Sequence, residues 1–390
     1  MQVKMWNGKI SKKYLLFEMA YFPWVISWML TSSYFKDYIH PYAIINLWEY
    51  VGSALLTLKI LMIKVPHKWV YGLEFGVILV GWLVSHGNGN ASFVFYTLFL
   101  ITAAYDLDIR WIIKKTMYCQ IIIVSGIVIS SIIGLIPNEI VVSYAGGFFR
   151  EREGLGFTYT TFAPNYFFSI VIEWFFLNQD KKKSILWSQR FFIILINLFL
   201  YKKTGTRATF LFVMCIVLID LVNKVNRFQS FFGKSVVKKI YIIMPLTSLF
   251  LSIFYNSSVM WMSELNDILS QRLRYSQMGL ANWGISLFGK SVLWNTNPSE
   301  YNYIDSSYIN ILVCYGGLVF IILIIGFSIA VKYACRISDR KLAGALFIWA
   351  VRAAIDPQLF LMWFDPFLFY IGVSIFNRFK NYRGKEKCYQ

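Results

Sequence analysis

The sequence predicts an all-α, polytopic membrane protein, a bundle of about twelve transmembrane helices that forms a single domain over residues 1–390. Of its 390 residues, 57% are hydrophobic and only 15% are charged, whereas about a quarter of the residues of a soluble protein are charged. Apolar runs of about 20 residues, the length that crosses a bilayer, recur along the chain. Lys and Arg concentrate in alternate connecting segments, as expected for loops on the cytosolic side.

The apolar runs predict spans centred near residues 24, 52, 76, 98, 127, 170, 194, 214, 248, 318, 348 and 367. The first run is too long for a removable signal peptide and lacks a small-residue cleavage site, so the amino terminus is expected to stay in the cytosol. With that orientation, all but ten of the 38 Lys and Arg residues fall on the inner side. Both termini are therefore predicted to be cytosolic. Basic inner loops beside an anionic leaflet account for the +18 charge without nucleic-acid binding.

Cysteine and histidine placement predicts neither a metal nor a cofactor. The five cysteines fall in apolar spans or basic loops and form no CxxC motif, so neither disulfides nor a zinc site is expected. The three histidines are scattered near span ends and are interpreted as interfacial side chains.

Ten basic residues lie on the predicted outer side, against the topological gradient. Charge placed there is costly to translocate, which favours a role at that face. Guanidinium groups match phosphate oxygens bidentately, so the arginines are the stronger candidates, and the lysines are interpreted as snorkelling side chains. The ten are Lys36, Arg150, Arg152, Lys202, Lys203, Arg207, Arg272, Arg274, Lys290 and Arg352.

The longest predicted outer segment, residues 257–306, connects spans nine and ten. Apolar residues recur in it at helical spacing, at Met262, Leu265, Ile268, Leu269 and Leu273. The pattern predicts one amphipathic helix at the outer interface, which presents Arg272 or Arg274 towards a cavity between the spans.

A polar loop, "NPSEYNYIDSSYINILVCYGG", then leads into span ten through Asp305. An aspartate before an apolar run is a common helix N-cap. A role for Asp305 in chemistry is compatible with capping, and both interpretations stand at this point.

Three stretches together resemble a known family. They are Arg150 or Arg152 followed by "LGFTYTTFAPN", the segment "TGTRATFLF", and "LSQRLRYSQMGL" leading through "LFG" to "IDSSYINILVCYGGLVFIIL". Over roughly residues 140–330 the chain resembles the Wzy-type polysaccharide polymerases of bacterial capsule and exopolysaccharide pathways. The O-antigen ligases are similar in layout but usually carry a His-Asn pair where this chain has Asp305 and Ser306, which favours a polymerase.

The resemblance implies a glycosyltransferase at the outer face of the bacterial cytoplasmic membrane. In that family the reducing end of a glycan repeat unit on polyprenyl diphosphate is transferred to a hydroxyl of a second lipid-linked unit, without metal or cofactor. Negative charge builds on the leaving diphosphate, so fixed cations around it stabilise the transition state. The implied partners are the lipid-linked donor and acceptor, membrane lipid, and flippase and chain-length regulator proteins.

The resemblance also assigns roles to residues. One of the carboxylates is expected to take the hydroxyl proton, with Asp305 as the first choice by its position; the candidates are Glu151, Glu153, Asp305, Asp356 and Asp365. Arg207 and Arg272 are the predicted catalytic cations. The predicted substrate-binding residues are Arg150, Arg152, Glu151, Glu153, Arg274, Asn165, Arg352 and Tyr308. Arg150, Arg152, Arg207 and Arg272 are expected to converge on one outward-opening cavity. Arg207 has no carboxylate near it in sequence, and it is expected to be buried at the outer start of span eight.

One alternative remains open for residues 150–153, and another for the class of the whole protein. The charges of "RERE" can pair with one another in a solvated loop. A polytopic transporter or flippase also fits about twelve spans, but a transporter usually shows two matching halves and charged sites at mid-membrane. A flippase would need a cationic cavity within the spans, whereas the outer arginines are predicted near the span ends.

Overall fold

A computed structural model of the chain describes residues 12–62, 68–88, 93–145, 148–178, 183–222, 235–295 and 301–386. It is mostly helical, at 75%, which confirms the prediction of a helical chain. Contacts within the chain divide it into two compact units. The first consists of residues 1–55 and 108–231, and the second of residues 56–107 and 232–390. The prediction of a single transmembrane domain stays a prediction.

The described elements are numbered in chain order. They are α1 (Lys12–Thr31), α2 (Lys36–Ile39), α3 (Pro41–Leu61), α4 (Lys68–Gly87), α5 (Phe93–Ala103), α6 (Ile109–Ile132), β1 (Ile140–Ala145), β2 (Phe148–Glu153), α7 (Phe162–Leu177), α8 (Lys183–Thr204), α9 (Arg207–Val222), α10 (Ser235–Lys238), α11 (Ile240–Ile253), α12 (Met260–Ile268), α13 (Arg272–Trp283), α14 (Ser307–Asn310), a π-helical turn (Ile311–Tyr315), α15 (Gly316–Arg336), α16 (Arg340–Arg352), a 3₁₀ turn (Pro366–Leu368) and α17 (Phe369–Glu386).

Within the first unit, α7 is the central helix and packs against α6, α8 and α9. Nearly all of its residues are buried. Within the second unit, α15 packs against α4, α11, α16 and α17. Tyr241 of α11 stacks on Phe327 of α15 with ring centroids 4.5 Å apart, and its hydroxyl donates to the carbonyl oxygen of Leu346 on α16.

Apolar helices in the described part indicate a membrane protein. Three of them are long and apolar enough to cross a bilayer, namely Pro41–Leu61, Ile109–Ile132 and Ser307–Arg336. Shorter apolar helices are Phe93–Ala103, Phe162–Leu177, Ile240–Ile253 and Pro366–Asn377.

The stretch around "RERE" is a β-hairpin, which the all-α prediction missed. Strands β1 and β2 pair antiparallel, with Val141 opposite Arg152 and Ile140 opposite Glu153. Successive residues of a strand point to opposite faces, so Arg152 is placed on one face of the hairpin and Glu151 and Glu153 on the other. The sequence "FFRERE" alternates in charge with this period of two, which is the signal that a loop interpretation overlooked.

The predicted amphipathic helix of the 257–306 segment is wrong in one respect, because the segment forms two helices, α12 and α13. The chain breaks between them, where Ser270 and Gln271 both adopt positive φ angles, of 56° and 66°. Asn266 bridges the break, because its amide donates to the Gln271 side chain and its oxygen accepts from the backbone NH of Arg274. Ile268, expected on the apolar face, is 78% exposed.

The helix of residues 307–336 is interrupted at Gly316, whose φ of 90° suits only glycine. A strap of residues 286–290 crosses the interruption. Gly317 NH donates to Ser286 O at 2.9 Å, and Lys290 NH donates to Val313 O at 3.0 Å. The strap thus supplies hydrogen bonds to backbone groups that the broken helix leaves unpaired.

Candidate active site

Two arginines and two aspartates of the second unit form a group that we call the aspartate cluster, namely Arg272, Asp305, Arg352 and Asp356. Arg272 is the first residue of α13 and Arg352 the last residue of α16. Asp305 lies just before α14, and Asp356 lies in the loop that follows α16. Three separate parts of the chain therefore contribute one charge or more to the cluster.

Two residues of α14 hold the loop after α16 in place. The Ser307 hydroxyl donates to the carbonyl oxygen of Asp356 and accepts from the NH of Leu359 at 3.1 Å, while Ser307 NH donates to Ala353 O at 2.8 Å. The Tyr308 hydroxyl donates to Ala350 O at 2.7 Å. Tyr308 is fully buried, so it acts here as a support of the cluster.

The Arg272–Asp305 pair is loose and partly open. Its Nε–Oδ2 distance is 3.6 Å, and the two side chains are 21% and 19% exposed. Burial raises the pKa of Asp305 from 3.8 to about 6, the charge of Arg272 lowers it, and the charge of Asp356 raises it. A carboxyl with this pKa can accept and release a proton close to neutral pH.

The Arg352–Asp356 pair is tight and closed. Its Nη2–Oδ2 distance is 2.9 Å, and the Arg352 side chain is 1% exposed. Nη2 also donates to the side-chain oxygen of Gln358 at 3.3 Å. Buried pairs of this kind hold two segments together, since either charge alone would be costly inside the protein.

Asp305 is not the N-cap of the helix that follows it. The N-cap residue of α14 is Ser306, which makes no side-chain capping hydrogen bond. Asp305 lies one residue earlier and its carboxylate faces Arg272. Of the two roles that the sequence left open, capping is therefore wrong. Within the described part, neither Ser306 Oγ nor Asp356 Oδ1 has a hydrogen-bond partner, although both atoms are buried.

A second charged group lies in the first unit, and we call it the hairpin cluster, namely Arg152, Glu153, Lys203, Asn138 and Thr204. Arg152 Nε donates to Thr204 O at 2.7 Å. Lys203 Nζ and Glu153 Oε1 are 2.8 Å apart, and the Asn138 amide donates to Glu153 Oε2 at 3.0 Å. Burial alone would raise the pKa of Glu153, but the hydrogen bonds from Lys203 and Asn138 lower it.

The remaining predicted site residues have different surroundings. Glu151 and Arg274 are exposed. Asn165 is 5% exposed and its oxygen accepts from the Thr209 hydroxyl at 2.8 Å, which joins α7 to α9. The backbone of Arg150 lies in β2 opposite Ser143, and its side chain lies outside the described part of the structure.

The expectation that Arg207 is buried is wrong. Arg207 is the first residue of α9, directly after the turn of Gly205 and Thr206, and its side chain is exposed. An exposed guanidinium does not require a buried counter-ion. Among the described residues, no hydrogen bond or ion pair to the Arg207 side chain is found.

The predicted residues therefore fall into two groups that belong to different units, and their convergence on one cavity stays a prediction. Sequence reasoning considered Asp356 only as one of several possible proton acceptors, and it missed the pairing of Asp356 with Arg352 and the contacts of Ser307. The i, i+4 spacing of Arg352 and Asp356 in "VRAAIDPQL" was a usable signal, because this spacing places two side chains on one face of a helical turn.

Comparison with models of protein families, with curated proteins and with solved structures finds no match to this chain. Across the described residues, no group of three or more His, Cys, Asp and Glu is arranged to hold a metal ion.

Proposed function

We propose that the protein is a lipid-linked oligosaccharide polymerase with about twelve spans and both termini in the cytosol, acting at the outer face of a bacterial cytoplasmic membrane. The observation that carries the proposal is the Arg272–Asp305 pair. It combines a carboxyl whose pKa is about 6 with a partly exposed guanidinium, at the end of a long polar segment that leads into an apolar helix.

In the proposed reaction, a hydroxyl of the acceptor glycan attacks the anomeric carbon of the donor. Asp305 accepts the hydroxyl proton, the new glycosidic C–O bond forms, and the bond from the anomeric carbon to the diphosphate oxygen breaks. Polyprenyl diphosphate departs with the bonding electrons, and its growing charge is stabilised by Arg272. A positioned base contributes about 10²- to 10⁴-fold to such a rate.

The separation of roles within the aspartate cluster supports this assignment. The loose pair can exchange partners, since a phosphate oxygen can replace the Asp305 carboxylate at Arg272 with a charge-assisted hydrogen bond. The buried Arg352–Asp356 pair instead fixes the loop beside it.

The hairpin cluster and Arg207 are proposed to bind the phosphate or sugar part of the substrate. Arg207 supports this proposal because its side chain is exposed and has no hydrogen bond or ion pair to another described residue, so its guanidinium can bind an anion. Arg150 and Arg152 have the same proposed role, with Glu151 as a contact for sugar hydroxyls.

A transporter or flippase is the second candidate, and the interruption at Gly316 favours it. Discontinuous helices form the substrate sites of many secondary transporters, because half-helix ends and unwound backbone bind ions. An O-antigen ligase-like transfer to another acceptor is a third candidate, since it would use the same donor and the same leaving group.

Reconstitution with lipid-linked single repeats tests the three candidates. A polymerase releases polyprenyl diphosphate and lengthens the lipid-linked glycan in steps of one repeat. A transporter moves the repeats across the vesicle membrane without lengthening them, and a ligase acts only when a different acceptor is added. A deletion strain that accumulates single lipid-linked repeats is the matching result in cells, and a strain with normal polymer would contradict the proposal.

A further inference from the structure

Gly279 of α13 packs so closely on Ile304 that any side chain at position 279 would force a neighbouring atom to move. Gly279 is buried, and a Cβ atom added to it would lie 2.3 Å from Cδ1 and 2.7 Å from Cγ1 of Ile304. Ile304 is fully buried, in an apolar group with Val292, Ile309 and Val313. Packed cores resist such overlap, so the side chain of Ile304 has little room to move aside.

The Gly279–Ile304 contact involves the same two segments as the loose Arg272–Asp305 pair. Gly279 and Arg272 are seven residues apart, which places them on one face of α13. Ile304 directly precedes Asp305 in the chain. Gly279 and Arg272 of α13 therefore approach two consecutive residues, Ile304 and Asp305.

We propose that Gly279 is a positioning residue, because its lack of a side chain lets α13 dock on Ile304 and so sets the distance from Arg272 to Asp305. The packing of Gly279 on Ile304 does not depend on what the protein does, whereas the catalytic consequence rests on the proposed function. At 3.6 Å the pair is already longer than an ordinary hydrogen bond, so it depends on charge attraction, which an outward shift of α13 would weaken.

The charged groups around Asp305 give the direction of the effect. Arg272 approaches from α13 and favours the ionised carboxylate, whereas Asp356, from the loop after α16, favours the neutral acid. Moving Arg272 away leaves Asp356 and burial unopposed. Asp305 should then ionise at a higher pH.

The test compares Gly279→Ala with Ala281→Val in the full-length protein. Ala281 is exposed on the same helix, so its variant adds bulk without touching Ile304. The ionisation of Asp305 is followed by its carboxyl infrared band, assigned with Asp305→Asn. We expect Gly279→Ala to move the midpoint to higher pH by about half a unit or more, and Ala281→Val to leave it unchanged.

Ile304→Val provides the opposite change, because it removes the nearest contacting atom. We expect it to move the midpoint to lower pH, and to cancel part of the shift when combined with Gly279→Ala, as neighbouring sites do in a double-mutant cycle. An unchanged midpoint in both Gly279→Ala and Ile304→Val, with the protein folded, would overturn the proposal. If Gly279→Ala does not fold, an unchanged midpoint in Ile304→Val alone overturns the proposal.

Activity is a separate readout of the same variants. If the wild-type protein polymerises lipid-linked repeats, the acidic limb of its pH profile should shift with the infrared midpoint. If the wild-type protein has no polymerase activity, the proposed function fails, while the infrared midpoints still decide the role of Gly279. An acidic limb that stays in place while the midpoint moves would overturn the catalytic consequence.

Discussion

The hairpin cluster and the aspartate cluster use the same residue types in different ways. In the hairpin cluster each charge has a close protein partner, with Arg152 Nε 2.7 Å from Thr204 O and Lys203 2.8 Å from Glu153. In the aspartate cluster one pair is tight and the other is loose at 3.6 Å. The loose pair contains a carboxyl, that of Asp305, whose pKa is raised towards neutrality. Charge alone therefore does not distinguish Asp305 from the other carboxylates of the two clusters, whereas the spacing and burial of its pair do.

The largest expected difference between the two clusters comes from replacing one acid of each by its amide. We expect Asp305→Asn to lower polymer formation by about 10²-fold or more, because the amide cannot take up a proton. Glu153→Gln should lower it by about tenfold at most, because Glu153 has a proposed binding role only and glutamine keeps a side-chain oxygen that can accept hydrogen bonds. Product length and yield in reconstituted vesicles measure both.

Stability provides the control for Asp305→Asn. Folding raises the pKa of Asp305 from 3.8 to about 6, so ionising this carboxyl costs stability as the pH rises through that interval. The Asn variant is therefore expected to melt no lower than the wild type at pH 7. A large loss of thermal stability would attribute its inactivity to unfolding.

The tight and loose pairs should separate in a melting experiment. We expect Arg352→Ala to destabilise the protein by about 3–5 kcal/mol, because it leaves Asp356 without its buried counter-ion. Arg272→Ala should cost less than about 1 kcal/mol, because its pair is longer and partly exposed. Thermal unfolding in one detergent compares them, and equal losses would contradict the distinction between the pairs.

Arg207, which lies in the first unit, tests the proposed binding of an anion there. We expect Arg207→Lys to reduce polymer about tenfold, because lysine keeps the charge and loses the bidentate fork. Insertion and stability should be unchanged, since the side chain is exposed. Wild-type chain length and yield in this variant would remove Arg207 from the proposed site, and Lys202→Arg is the matched control on a nearby exposed cation.

The smallest expected effect concerns Glu153 and pH. Its pKa is lowered in the folded protein, so its contribution to stability is present above its ordinary pKa of 4.5 and is lost as the pH falls through the lowered value. The melting temperature of Glu153→Gln should thus equal that of the wild type at strongly acid pH and differ slightly at pH 7. A difference that grows on acidification would contradict the ion pair.

Helices could be predicted from the sequence because apolar runs report burial or lipid contact directly. The position of Asp305 before an apolar helix also identified it as a candidate. Arg272 was a candidate as well, but its direct pairing with Asp305 could not be predicted, since the two are 33 positions apart in the chain and the break at Ser270 and Gln271 decides where α13 begins. The exposure of Arg207 likewise depends on a turn geometry that a hydropathy pattern does not encode.

The central claim, that Asp305 accepts the proton, is tested most directly by the pH dependence of kcat/KM for lipid-linked repeats. The account predicts an acidic limb with a midpoint near pH 6, falling about tenfold per pH unit below it. That limb should disappear in the residual activity of Asp305→Asn and remain in Glu153→Gln. A wild-type profile that is flat between about pH 5 and pH 7, or a limb that survives in Asp305→Asn, would contradict the claim.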